Sequence, residues 1–219
     1  MEFAEYIPFW DKLSPEQQER IASVIEYRQV PRATHIHDSS AECLGLVMVQ
    51  AGQLRTYILS EDGREITLSR LFDYDVSLLS ASCVMPDLQF HVMIEAEKDT
   101  AFWSIPACLF KNLMDESLAV SNYAQTLLGS HFSELMWLME QIMWKSVDKR
   151  LAAFLLEEAR LEGSTTLKIT HEKVANHLGT AREVVTRMLR YFQSEGMVAL
   201  TRGAITLTNE DKLKTLERK

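Results

Sequence analysis

The stretch HEKVANHLGTAREVVTRMLR, from His171 to Arg190, has the pattern of a complete helix-turn-helix. Ala175 falls where the first helix meets the second, and only a small side chain fits at such a contact. Gly179 falls at the turn, where the backbone needs a positive φ that glycine allows without steric cost. Four apolar residues have the spacing that buries one face of each helix in a shared core, namely Val174, Leu178, Val185 and Met188. The stretch therefore predicts two packed helices joined by a tight turn.

The second of these helices leaves a row of polar side chains facing outward. In a DNA major groove, Arg can contact two acceptors of guanine, Glu accepts from cytosine, and Thr can contact either. An ordinary helical hairpin with a basic surface is the alternative interpretation, but the small, glycine and apolar positions in register favour DNA binding. The candidate DNA-binding residues on and before this helix are Thr180, Arg182, Glu183, Thr186, Arg187 and Arg190.

A β-hairpin is predicted directly after the two helices. Ser194-Glu195-Gly196 ends the second helix, with glycine at a left-handed cap. Two short strands, Met197 to Leu200 and Ala204 to Leu207, flank a tight turn at Thr201-Arg202-Gly203. A hairpin in this position makes the motif a winged helix-turn-helix. Arg202 at the tip is a candidate for phosphate contact, which fixes register without reading sequence, and a solvated turn residue is the equal alternative.

Length and composition describe an ordinary globular protein. The 219 residues are enough for two domains, each with its own core. The chain has no run of about 18 or more apolar residues, which excludes a transmembrane helix, and its start lacks the basic segment of a secretion signal. Cys43, Cys83 and Cys108 are odd in number and widely spaced, which favours a reducing compartment over a disulfide framework. We therefore expect a cytoplasmic location.

The net charge of −8 conceals a strong asymmetry along the chain. From Ser146 onward the sequence has 13 Lys and Arg against 10 Asp and Glu, whereas residues 1–145 have 10 against 21. Phosphate would repel the acidic first part and attract the second. The asymmetry assigns DNA to the C-terminal part and leaves the N-terminal part as a sensing or partner-binding module.

The N-terminal part is predicted to be rich in short strands. Ser14-Pro15-Glu16-Gln17 begins a helix that we expect to run to about Tyr27, because Ser caps and Gln bonds back to it. From Val30 to about Ile105 the pattern becomes β-rich, and an Asp-Gly turn at Asp62-Gly63 separates two strand-like runs. The strand-like runs are Leu46 to Val49, Gln53 to Leu59, Arg64 to Leu71, Phe90 to Ala96 and Ala101 to Ile105. So many short strands favour a β-roll or a small barrel.

After Pro106 the residues again have a helical spacing, and part of this segment follows a heptad pattern. The pattern begins at Leu118, Ser121 and Gln125 and is apolar from Leu128 onward. We interpret the apolar part as a coiled-coil seam between two copies of the chain, formed by Leu128, Phe132, Leu135, Met139 and Ile142. A helix face packed against the β-roll is the alternative. A two-fold dimer is favoured because a short recognition helix gains most from symmetric half-sites.

The whole chain resembles the Crp/Fnr superfamily of bacterial transcription regulators. The residues that carry the resemblance are Gly52-Gln53-Leu54-Arg55, Asp62-Gly63-Arg64-Glu65-Ile66, Lys149 to Leu156 and, above all, Val174 to Arg187. The resemblance implies an α+β fold with an N-terminal, cyclic-nucleotide-binding-like β-roll (a double-stranded β-helix), a long dimerisation helix and a winged helix-turn-helix. In this family the residues matching Arg182, Glu183 and Arg187 read bases, and the one matching Thr186 contributes in some branches.

The expected domain boundaries follow from the same assembly. The β-roll would span residues 1–116, the dimerisation helix and hinge 117–145, and the DNA-binding domain 146–219. The seam ends near Lys145-Ser146, and a new helix is predicted from Val147. The expected partners are double-stranded DNA with a palindromic operator, a second copy of the chain, an effector of unknown identity and, for an activator, RNA polymerase.

The sequence departs from the family where the cAMP receptor protein holds the cyclic phosphate. That protein uses a Gly-Glu step and a later Arg-Ser pair, whereas this chain has Leu78-Leu79 and Phe90-His91. A buried phosphate without its Arg would be an uncompensated charge. We therefore expect no useful binding of cAMP or cGMP. The candidate effector-pocket residues are Leu78, Leu79, Ser80, Ser82, Cys83, Phe90 and His91.

Other cofactors of the family find little support in the sequence. An iron–sulfur cluster is not expected, because the chain has none of the N-terminal cysteines that hold one in that branch and no cysteine before Cys43. His91, His131 or Cys83 could ligate haem, but no spacing argues for it. Cys83 would be redox-active only if a cationic neighbour such as His91 lowered its pKa. The cofactor is therefore unknown.

Two other classes of function are compatible with the chain. A cupin-like metal enzyme would use His35-x-His37, which places two imidazoles on one face of a strand, with Asp38 and Glu42 as the nearby carboxylates. A surface histidine pair explains the same residues better, so no catalytic or metal site is expected. The third class is a constitutive DNA-binding protein whose β-roll serves only as a scaffold.

Overall fold

The computed structural model describes residues 2–37, 44–78 and 92–218. The predicted residues Asp38, Glu42, Leu79, Ser80, Ser82, Cys83, Phe90 and His91 lie outside these ranges. By internal contacts the chain divides into two compact units. The first is Met1–Ile58 with Leu68–Leu135, and the second is Leu59–Thr67 with Met136–Lys219.

Two four-stranded sheets form most of the N-terminal part, as the pattern of short strands predicted. The first sheet has the order β1-β8-β3-β6 and the second the order β2-β7-β4-β5. The strands are β1 (Glu26–Val30), β2 (His35–His37), β3 (Leu46–Ala51), β4 (Leu54–Leu59), β5 (Glu65–Leu71), β6 (Val76–Leu78), β7 (Met93–Ala96) and β8 (Thr100–Ile105). Both sheets contribute to one shared apolar core, which makes this part a β-roll.

Strand β3 is buried on both of its faces, and this explains why it is a continuous apolar run. Val47 and Val49 belong to the core shared by the two sheets. Leu46 and Met48 point to a second core, where the N-terminal residues and three helices cover the first sheet. These helices are α1 (Pro15–Val24), α2 (Ala107–Glu116) and α3 (Leu118–Trp144).

Helix α1 begins as predicted and ends earlier than predicted. The Ser14 side chain accepts from the Gln17 N–H, and the Gln17 side chain accepts from the Ser14 N–H, which completes a capping box. The prediction that the helix reaches Tyr27 was wrong, because Glu26–Val30 pairs with β8 in an antiparallel ladder. Pairing with a strand far along the chain overrides the local helical pattern here.

The second unit contains the winged helix-turn-helix. Its helices are α4 (Val147–Glu162), α5 (His171–Leu178), α6 (Arg182–Ser194) and α7 (Glu210–Arg218). Its sheet has the order β10-β11-β9, from β9 (Thr166–Leu167), β10 (Val198–Thr201) and β11 (Ala204–Leu207). Helix α4 begins at Val147 as predicted, with Ser146 at its N-cap position. Strand β9 and helix α7 were not predicted from the sequence.

The core of this unit corrects one predicted residue. Val174, Leu178 and Val185 are buried as expected. Met188 is only partly buried, whereas Leu189 and Phe192 are completely enclosed. The predicted spacing stopped at Met188, but the helix turns Leu189 more directly toward α4 and the wing.

This correction gives the first prediction. We expect Leu189→Ala to lower the free energy of unfolding by about 2–5 kcal/mol, the cost of emptying a fully buried leucine site. Met188→Ala, which removes a side chain of similar size one position earlier, should cost clearly less. Thermal unfolding of both full-length variants followed by calorimetry measures the difference. Equal losses of stability would contradict the assigned core.

Candidate nucleic-acid interface

The helix-turn-helix is held by capping at both ends of α5. The Thr170 side chain caps the helix by accepting from the Lys173 N–H. At the other end Gly179 has φ 62°, the left-handed conformation that the turn was predicted to need. The Ala175 carbonyl accepts from the N–H groups of Gly179 and Thr180 and closes the helix. The turn between α5 and α6 is therefore fixed by backbone hydrogen bonds.

Helix α4 contacts the helix-turn-helix through α5. Ala175 is almost fully buried, which agrees with the expectation that only a small side chain fits at the contact of α5 and α6. Arg150 Nη1 donates to the Leu178 carbonyl at 2.9 Å and so ties the last turn of α5 to α4. Phe154 of α4 also stacks on the buried ring of His177, with ring centroids 5.1 Å apart. These contacts hold the end of α5 against α4.

The outward face of α6 carries the predicted row of polar side chains. Arg182, Glu183, Arg187 and Arg190 are exposed, and Thr186 between them is partly buried. The five side chains line one shallow surface depression. Thr180, in the turn before the helix, is also partly buried. Positions three and four residues apart share a helix face, so the row presents three cations, a carboxylate and a hydroxyl together.

Two interactions connect α5 to this row. His171 Nδ1 lies 2.9 Å from Thr186 Oγ1. Glu172 Oε2 lies 3.9 Å from Arg182 Nε, and both of these side chains are mostly exposed. Burial lowers the pKa of His171, and the positive charges of Arg182 and Arg190 lower it further. The lowered pKa favours the uncharged form of the imidazole on this face.

Sequence reasoning did not include His171 among the site residues. Its partner Thr186 is 15 residues away along the chain, so no local spacing connects the two. The signal available in the sequence was that His171 begins the helix and that the helices of this motif cross closely. Only the crossing geometry of α5 and α6 shows which residue it meets.

The wing forms the second side of the interface. Strands β10 and β11 pair from Val198 with Leu207 to Thr201 with Ala204, which places Arg202 at the exposed tip, as predicted. A cleft of about 420 Å³ separates the wing from the start of α5, and His171 and Arg182 line it. The lining residues that the wing contributes, Thr201 and Gly203 to Ile205, carry no charge.

The residues of the predicted seam lie on one continuous helix of 27 residues, α3. Phe132, Met139 and Ile142 are 65%, 52% and 42% exposed in the single chain. Leu135 is partly buried, and Leu128 packs at the border of the core beneath the first sheet. The seam residues that were predicted to face a second chain are therefore largely uncovered within one chain.

The predicted effector pocket can be placed only in part. Leu78 ends β6 and is buried in the core beneath the first sheet. Its neighbour Ser77 Oγ lies 3.1 Å from His131 Nε2 on α3. Burial lowers the pKa of His131, and Glu134 opposes that shift. A buried polar pair thus joins the strand before the predicted pocket to α3.

The predicted histidine pair belongs to β2, beside an irregularity of the strand pairing. The ladder between β2 and β7 shifts register between His35 and His37, so the simple alternation expected of a strand is interrupted there. His35 Nδ1 lies 3.4 Å from the Tyr57 hydroxyl. Within residues 2–37, 44–78 and 92–218, no three His, Cys, Asp or Glu side chains form a group that could hold a metal ion. Cys108 is an exposed free thiol.

A platform of two crossed helices, an exposed basic recognition face and a basic wing tip define a DNA-binding transcription regulator. The comparisons with known proteins agree. Residues 149–216 match the family model of the Crp-like helix-turn-helix domain. A solved structure from Eubacterium rectale, described as a transcriptional regulator of the Crp/Fnr family, is 55% identical with a TM-score of 0.95, and the match covers 98% of this chain and 100% of that one. The chain belongs to the Crp/Fnr family.

More distant relatives match most of the chain. The fumarate and nitrate reduction regulatory protein of Escherichia coli is 24% identical over 221 residues, which cover 96% of this chain and 85% of that protein. The c-di-GMP responsive regulator CLP of Xanthomonas campestris is 15% identical with a TM-score of 0.72, covering 89% of this chain and 99% of its own. The latter shows the common fold alone. None of the helices in the described ranges has the length and apolar character needed to cross a bilayer.

Proposed function

We propose that the protein acts as a homodimer that binds a two-fold symmetric operator through α6. The observation that carries the proposal is the exposed row on α6, from Arg182 to Arg190, on a platform fixed by α4 and α5. An α-helix fits the major groove of B-DNA, and Arg, Glu and Thr can all contact base edges there. The domain boundaries expected from the sequence, 1–116, 117–145 and 146–219, are part of this proposal.

Backbone contacts would set the position of α6 in the groove. Arg202 at the wing tip is exposed and separated from α5 by an open cleft. A phosphate strand that entered beside the wing would meet Arg202, which carries a charge but reads no base. Arg182 lines the same cleft and also belongs to the row on α6. It would therefore lie between the residue proposed to contact phosphate and the residues proposed to contact bases.

The dimer proposal rests on the exposed apolar residues of α3. Phe132, Met139 and Ile142 recur at the four- and three-residue spacing of a left-handed coiled coil. Exposed apolar residues in such a continuous row commonly mark an interaction surface. A second copy of α3 would cover them symmetrically and present two α6 helices about one turn of DNA apart.

The β-roll is proposed to sense a small molecule other than cAMP or cGMP. The departures at Leu78-Leu79 and Phe90-His91 support this, because they replace the arginine with which the cAMP receptor protein holds the cyclic phosphate. The cofactor is not an iron–sulfur cluster or haem in this proposal. A constitutive regulator with a structural β-roll is the second candidate. RNA polymerase is a proposed partner of an activator, and the DNA target places the action in the bacterial cytoplasm.

Arg182 and Arg202 should have separable roles in DNA binding. Selection of bound DNA from a random pool by the full-length protein supplies the operator, and fluorescence anisotropy then gives affinities for operator and unrelated DNA. We expect Arg182→Ala to lose about 1–3 kcal/mol of discrimination for the operator. Arg202→Ala should weaken binding to every sequence alike and lower the salt slope by about 1. Equal loss of operator preference in both variants would refute this division.

The seam should determine the oligomeric state. Phe132→Glu places a carboxylate on each side of the proposed two-fold axis, where it would be desolvated beside a like charge. We expect this variant to sediment as a monomer at concentrations where the wild type is a dimer. Ser133→Glu adds the same charge at an exposed position off the seam and is the matched control. A dimer that survives Phe132→Glu would place the interface elsewhere.

The effector proposal has a direct calorimetric test. Titration of the protein with cAMP and with cGMP should give no saturable heat in the micromolar range. Titration of the same preparation with operator DNA serves as the control for active protein. Saturable micromolar binding of either nucleotide would show that other residues replace the missing arginine.

A further inference from the structure

The hydrogen bond between His171 and Thr186 joins the first residue of α5 to the centre of the recognition row. The two atoms, Nδ1 and Oγ1, are 2.9 Å apart, and both side chains are partly buried. Thr186 is three residues from Glu183, four from Arg182 and Arg190, and adjacent to Arg187. In the described part of the chain, Thr186 is the one residue of the row that is held by a hydrogen bond to a side chain of α5.

This bond limits what the threonine can offer to DNA. A hydroxyl has one donor and two acceptor lone pairs. When Nδ1 is unprotonated, it accepts a hydrogen bond from the hydroxyl, and the threonine oxygen then presents only lone pairs to the groove. Lone pairs suit the amino groups of adenine or cytosine. When Nδ1 carries the proton, the hydroxyl proton is free to donate to guanine or thymine. In both cases the hydrogen bond to His171 fixes the orientation of the Thr186 side chain. It also determines whether the Thr186 hydroxyl donates to a base or accepts from one.

We propose that His171 is a positioning residue for base recognition, which orients the Thr186 hydroxyl and so sets the base preference at the pair that Thr186 contacts. This inference rests on the proposed function, because it requires α6 to enter a major groove. His171 itself need not touch a base. Its effect is to remove the rotational freedom of a hydroxyl that would otherwise contact any base equally well.

The surrounding charges favour this role over that of a phosphate ligand. Burial lowers the pKa of His171, and the positive charges of Arg182 and Arg190 on α6 lower it further. Glu172, the next residue of α5, directs its carboxylate toward Arg182. The wing residues that line the cleft beside the ring are uncharged. A lowered pKa disfavours the charged imidazole that would attract phosphate, and the ring nitrogen lies 2.9 Å from the Thr186 hydroxyl, so its contribution is expected through Thr186.

The test uses full-length protein and the operator selected by the wild type. Each base pair of one half-site is replaced in turn, and competition anisotropy gives the relative affinities for the wild type, Thr186→Val, His171→Ala, His171→Asn and the double variant His171→Ala/Thr186→Val. Thr186→Val keeps the side-chain shape and removes the hydroxyl, so it identifies the pair that Thr186 contacts. Asn can place a polar atom near the position of Nδ1, which makes it the matched control.

We expect His171→Ala to lower the preference at that pair about fivefold, roughly the factor that one intramolecular hydrogen bond is worth. Preferences at the other pairs should be unchanged, and His171→Asn should restore most of the loss. The double variant should discriminate no worse at that pair than Thr186→Val alone, because the histidine acts only through the hydroxyl.

Two results would overturn the inference while leaving the proposed function intact. One is a uniform loss of affinity in His171→Ala for every sequence, with the preference at that pair unchanged. The other is a Thr186→Val variant that keeps every base preference of the wild type. By contrast, a wild type that enriches no sequence, alone or with metabolite extract, would refute the proposed function itself.

Discussion

The close crossing of α5 and α6 is the constraint on which the interface depends. Ala175 is nearly fully buried at the crossing, and its carbonyl accepts the two N–H groups that form the turn. A larger side chain at this position would separate the helices and turn the α6 face away from its present direction. The wing follows from the same geometry, since the Met197 N–H donates to the Phe192 carbonyl directly after α6 ends. The direction of the α6 row thus depends on the Ala175 contact, and the start of the wing is fixed to the end of α6.

The positive charges of the row on α6 repel one another, and bound DNA would reduce this repulsion. Arg182, Arg187 and Arg190 share one exposed face, where like charges repel. Glu183 within the row and Glu172 beside it offset part of this repulsion in the free protein. The lowered pKa of His171 avoids a further positive charge at the same place. Phosphates would supply the missing negative charge. A chain with a net charge of −8 can present this basic surface because its acidic excess lies in residues 1–145.

The parts of the fold that depend on local signals could be predicted from the sequence. The prediction failed where the structure depends on pairing between strands that are far apart in the chain. Gly179, the Ser14 capping box and the Asp62-Gly63 turn each specify a local backbone conformation, and all three are present. The start of β1, Glu26 and Tyr27, was predicted as helix, because only pairing with β8 makes it a strand. Within the site, the α6 row followed from helical periodicity. His171 did not, because its contact with Thr186 depends on how two helices cross.

Helix α3 changes its environment along its length, and this bears on how the two parts of the protein communicate. Val120 and Ala124 are fully buried in the core beneath the first sheet, whereas Phe132 and most of the apolar residues after it are exposed. The heptad becomes apolar close to where burial within the chain ends, so the first half belongs to the β-roll and the second half is available to a partner. His131 stands at this transition and contacts Ser77, one residue before the predicted pocket begins. The contact between Ser77 and His131 therefore connects β6 to the point on α3 where burial within the chain ends.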